Sequence, residues 1–100
     1  MLKNRMPPIH PGEILADELV ALSLSANRFA TALHVPPNRI SELLRGRRGL
    51  TADTALRLAR FFGTTAQFWM NLQVSYDLRS TEIDHGTEIE TEVEPMAQCA

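Results

Sequence analysis

Apolar residues recur at helical spacing in five separate runs along the first four fifths of the chain, and no run before residue 80 alternates with a strand period. Pro7, Pro8 and Pro11 keep the start extended, so residues 1–8 form a lead-in segment. Pro11 suits the first position of a helix, and Glu13 sits in the first turn, where the dipole favours an acid. Ile14, Leu15, Leu19 and Leu22 give that helix its apolar side, and Ser23 ends it. Ser25 is an N-cap for a second helix over residues 26–33, with Phe29, Ala30 and Leu33 inward. The tripeptide His34-Val35-Pro36 is a tight break. Pro37 opens a third helix that runs to about Arg45, with Ile40, Leu43 and Leu44 as its apolar positions and Gly46 just beyond its end. Thr51 caps a fourth helix with Ala55, Leu58, Ala59 and Phe62 inward, closed by Gly63, and Asp53 and Arg57 form a favourable i,i+4 pair on it. Thr65 caps a fifth through about Leu78, with Phe68, Trp69, Leu72 and Tyr76 on one side.

These elements predict an all-α domain of five short helices over residues 9–79, followed by a tail over residues 80–100. In the tail, the stretch TEIETEVE alternates polar and apolar residues with period two. Its charge density favours a flexible extension, with a strand formed on a partner as the alternative. There is no internal repeat.

Charge sharpens this division. The net charge of −2 hides an asymmetry: all ten Lys and Arg but only six acids lie in residues 1–79, which leaves that stretch at +4. Residues 80–100 hold six acids and no base, or −6. A basic body points to a polyanion as partner, and an acidic tail suits a solvating extension or a basic partner. No apolar run approaches the ~20 residues needed to cross a bilayer. The basic N-terminus lacks the apolar stretch of a secretory signal, so the expected location is the cytoplasm. A single cysteine, Cys99, has no internal disulfide partner. His10, His34 and His85 are scattered without ligand-spaced neighbours, so no metal site is expected. There is no glycine-rich phosphate loop and no nucleophile elbow, and neither cofactor nor catalysis is expected.

The informative stretch is ANRFATALHVPPNRISELL, residues 26–44. Two helices joined by a turn of three or four residues have the helix-turn-helix arrangement, which projects the start of the second helix into the DNA major groove. In that arrangement Ala30 is the small residue where the helices touch, Val35 packs under the turn, and Ile40 anchors the second helix from below.

The stretch resembles the Xre/Cro-type (lambda-repressor-like) helix-turn-helix. More closely, residues 9–78 resemble the HigA (VapI) antitoxin family. The carrying motifs are IHPGEIL at 9–15, RISELLRGRRGLTADTALRLARFFGT at 39–64 and FWMNLQVSYDL at 68–78. Two departures stand out. His34 occupies a position where the Xre-type turn usually has glycine, often for a positive φ, which His tolerates. Pro36 and Pro37 replace the usual polar residues at the start of the recognition helix.

The resemblance implies roles. Asn38, Arg39, Ser41 and Glu42 match the exposed recognition positions. Arg39 would grip guanine O6 and N7, and Asn38 would read adenine or hold a phosphate. Ser41 would do either, and Glu42 would accept from cytosine or repel wrong registers. Arg45, Arg47 and Arg48 would contact phosphates, and Asn27, Arg28 and Thr51 would touch the backbone from helix starts. A module this small reads too few bases alone, so a homodimer on a palindromic operator is expected, with Phe68, Trp69, Leu72 and Tyr76 of the fifth helix as candidate dimer surface. The activity would be operator repression together with neutralisation of a small basic ribonuclease toxin of the HigB/RelE type. The alternatives are a stand-alone regulator without a toxin, or an interaction module that has lost DNA binding.

Overall fold

The computed structural model describes residues 7–99, with side chains over 7–97. Most of the expected lead-in, residues 1–6, and the Cys99 side chain lie outside the described residues; Pro7 and Pro8 precede the first helix without regular structure. The helices are α1 (Pro11–Ala21), α2 (Ala26–Leu33), α3 (Pro37–Leu44), α4 (Ala52–Phe62) and α5 (Ala66–Glu92), with a terminal turn α6 (Met96–Cys99). There is no strand among the described residues.

Each start has a local chemical cause. The side chains of Ser25, Thr51 and Thr65 accept the amide N–H of Arg28, Thr54 and Phe68, satisfying donors that an unpaired helix start leaves open. Helix α1 uses an unusual cap. His10 Nδ1 accepts the Gly12 N–H at 2.9 Å, while Glu13 accepts the His10 N–H at 2.9 Å. The sequence His-Pro-Gly-Glu carries this signal, a polar residue three before a Glu, with His in place of the usual hydroxyl.

The first four helices also end alike, each on a left-handed residue: Ser23, His34, Gly46 and Gly63 all have positive φ. At the end of α2, Val35 N–H bonds to Ala30 and His34 N–H to Thr31; at the end of α3, Arg47 N–H bonds to Glu42 and Gly46 N–H to Leu43. This paired pattern consumes the last carbonyls and turns the chain sharply. His34, at φ 57 and ψ 46, takes the conformation that its position demands.

These turns fold the amphipathic faces onto one core. Leu15, Leu19, Phe29, Ala30, Leu33, Val35, Ile40, Leu43, Leu50, Ala55, Leu58 and Trp69 are all buried. Phe29 lies at the centre, edge-on to Phe61 at 5.1 Å and beside Phe62 at 5.8 Å. Helices α1 and α3 approach so closely that a Cβ on Gly12 would collide with the Leu43 carbonyl. Leu22, expected on the inner face of α1, is instead about half-exposed just past the helix end.

The tail departs most from expectation. Helix α5 does not stop near Leu78 but continues to Glu92, a 27-residue rod of about 40 Å at 1.5 Å per residue. Its second half stands away from the body, which raises the radius of gyration to 17.0 Å against about 13 Å for a compact chain of this length. The physical reason is cooperativity. The half of α5 docked on α4 supplies the nucleus, so each further residue adds a hydrogen bond without a new nucleation cost. His85 pairs with Glu88 at 3.2 Å within that stretch, and Pro95 lies just beyond its end.

Candidate nucleic-acid interface

Helix α2 and helix α3 cross at the αL turn of His34, and α3 presents its polar side outward because Ile40 and Leu43 are fully turned into the core. Of the sequence-predicted residues, Asn27, Arg28, Asn38, Arg45, Arg47, Arg48 and Thr51 are exposed, and Arg39, Ser41 and Glu42 are partly exposed. All are therefore at the surface, but their side chains are in unequal states. Ser41 Oγ donates back to the Asn38 carbonyl at 3.3 Å, and Thr51 Oγ1 is engaged as the cap of α4. Arg48 gives both Nε and Nη2 to one oxygen of Glu42, at 2.9 and 2.6 Å. That pair neutralises Glu42 and occupies the donor edge of Arg48. Arg28, Arg45 and Arg47 make no side-chain ion pair among the described residues, so their charge faces solvent undiminished.

Two residues outside the expected set shape this surface. Gln73 of α5 is buried, and its Oε1 accepts the Leu50 N–H at 2.7 Å while its Nε2 donates to Asp77 at 2.9 Å. It pins the loop after α3 that carries Arg47 and Arg48. Asp53 receives Arg39 Nη1 at 2.8 Å and Arg57 Nε at 2.9 Å on the same oxygen. The Arg57 hydrogen bond, with a further contribution from Arg39, holds the Asp53 carboxyl below its ordinary range. The expected Asp53–Arg57 pair is thus formed, but Arg39 had no visible link to it in sequence, fourteen positions away.

The candidate dimer residues divide. Trp69 is 3% exposed, with Nε1 donating to Thr64 Oγ1 at 2.9 Å and its ring beside Phe62; it is a core residue, not a surface for a second copy. Leu72 packs partly against the same core, and Tyr76 meets the His10 ring edge-on at 4.8 Å. Phe68 remains exposed at 46%. Among the described residues no cluster of His, Cys, Asp and Glu could hold a metal ion, and no helix is long and apolar enough to cross a membrane.

The turn, the α2–α3 pair and the outward polar face of α3 define a helix-turn-helix protein, and residues 15–69 match the helix-turn-helix domain family. The chain is 59% identical over 83 residues to virulence-associated protein I of Dichelobacter nodosus, spanning 82% of this chain and 77% of that protein. An addiction module antidote protein of the HigA family from Coxiella burnetii superposes with a TM-score of 0.88 at 56% identity, over 90% of this chain and 99% of the other. Pseudomonas aeruginosa antitoxin HigA, solved with the higBA promoter, gives a TM-score of 0.86 at 48% identity, over 89% and 98% of the two chains. The chain belongs to the HigA family of helix-turn-helix antitoxins.

Proposed function

We propose that this protein represses its own operon by binding a palindromic operator as a homodimer, and that it neutralises a small basic ribonuclease toxin of the HigB/RelE type. The observation that carries the DNA half is the α3 surface: a helix opened by Pro36 and Pro37 and closed by the left-handed Gly46, with Asn38 and Arg39 in its first turn and Arg45 and Arg47, which make no ion pair among the described residues, at its end. On this reading the first pair reads base edges and the second holds phosphates. One such helix reads too few bases alone, and two of them ~34 Å apart on one DNA face would match a two-fold operator. The toxin half rests on family membership and on the acids of the second half of α5, which complement a basic partner.

Binding to the DNA upstream of its own coding region, followed across a salt series, tests the first half. Arg45→Ala and Arg47→Ala weaken all sequences alike and each lowers the salt slope by about one. Absence of binding to every upstream fragment at low salt overturns it. Co-purification with a HigB-type ribonuclease and loss of that enzyme's RNA cleavage test the second half; an unretained and fully active ribonuclease overturns it.

A further inference from the structure

Two arginines near the recognition surface are paired with carboxylates, and the geometry of the pairs differs in a way that bears on what each can do. Arg48 spends Nε and Nη2, the parallel donor edge of its guanidinium, on Glu42. Arg39 spends only Nη1, on Asp53, so its Nε–Nη2 edge is left without a partner among the described residues. That edge carries two parallel N–H donors of the kind that pair bidentately with O6 and N7 of guanine. The Arg39 side chain is 29% exposed and is held through Nη1.

Asp53 is itself anchored. Its Oδ2 takes Arg57 Nε at 2.9 Å, and Arg57 Nη1 donates to the carbonyl of Leu33 at 2.8 Å, at the left-handed turn between α2 and α3. A chain of charge-assisted bonds thus runs from the turn through α4 to the first turn of α3. Two cations share one anion, so the cluster keeps a net positive charge and does not repel phosphate.

We propose that Asp53 is a specificity-determining positioning residue: it aims the Nε–Nη2 edge of Arg39 at a guanine in the major groove. The inference rests on the operator-binding reading above. A free arginine there loses rotamer freedom on binding and reaches phosphates as readily as bases. One held by Asp53 gives up less freedom and has its reach confined. Base discrimination at a single position, rather than overall affinity, is what Asp53 supplies.

The test compares binding of the full chain to its operator and to operators substituted one base pair at a time, for wild type, Arg39→Ala, Asp53→Ala and the double variant. Arg39→Ala identifies the guanine it reads as the position where discrimination of about tenfold or more disappears. Asp53→Ala then loses most of the discrimination at that same position, keeps it elsewhere, and leaves the salt slope unchanged; the double variant is no worse than Arg39→Ala. Asp53→Ser gives the same pattern with a small polar group kept at the start of α4, should alanine weaken that helix. Full discrimination retained in both Asp53 variants overturns the inference and leaves operator binding standing, as does an equal loss at every position. An Arg39→Ala protein with no position-specific loss overturns it as well. A wild-type protein without any sequence preference overturns both readings.

Discussion

At the residue scale, the pairing of Asp53 makes part of the fold's stability titratable. Its carboxyl is held below the ordinary value of 3.8, first by the Arg57 hydrogen bond and then by that of Arg39. A carboxyl lowered in the folded state contributes stability that is fully present above its unfolded value and is lost as pH falls through the lower folded value. The difference in unfolding midpoint between wild type and Asp53→Asn is therefore constant at neutral pH and shrinks as pH drops below 3.8. A gap that widens on acidification contradicts this assignment. His34 shows how far a single residue's conformation was legible: the turn needed a positive φ, His was the residue present, and His adopts it. Trp69 shows the limit. Phe68 and Trp69 are neighbours on one helix, and helical period alone does not say which of two adjacent aromatics turns inward. The packing of α5 on α4 decides it, burying Trp69 against Phe62 and leaving Phe68 out.

At the scale of elements, most helix limits were legible because short caps carry them. Ser25, Thr51 and Thr65 sit where hydroxyl caps were expected, and α2 spans residues 26–33 as its pattern required. The loop after α3 was legible only in part. Gly46 closes the helix, but the partner of the Leu50 N–H is the Gln73 side chain, 23 residues downstream. Nothing local marks that bond, since a glutamine on a helix is ordinarily solvated. Gln73→Ala leaves a buried donor without its acceptor and costs about 1–3 kcal/mol in urea denaturation, with faster hydrogen exchange at Leu50. A cost under about 0.5 kcal/mol, with exchange unchanged, shows that water replaces the side chain and that the loop does not depend on it.

At the scale of the whole molecule, charge and shape follow one division. The basic residues of the described chain belong to the body, and the acids of residues 80–100 lie on the projecting end of α5 and beyond it. Those acidic residues are all exposed and contribute nothing to the buried core. A chain ending at Arg79 therefore keeps its cooperative thermal transition within a few degrees. Its net charge changes from −2 to +4, and it binds arbitrary duplex DNA more tightly at low salt, because an anionic extension no longer opposes the phosphate field. Loss of cooperative unfolding contradicts the first expectation, and unchanged nonspecific affinity the second.

The sequence by itself determined the number and kind of the helices in the body, their caps and breaks, the helix-turn-helix at residues 26–44 and the polar face of α3, because helical period and capping chemistry act within a few residues. Only the tertiary structure decided which side chains of that face remain available. The Arg39–Asp53 link, the Arg57 bond to the Leu33 carbonyl, the Glu42–Arg48 pair and the Gln73 tether join positions 6 to 24 residues apart, and the pattern along the chain does not register such contacts. It also decided the fate of residues 80–92. Read alone, they lack the apolar surface to support an element, but as the continuation of a docked helix they need no nucleus of their own.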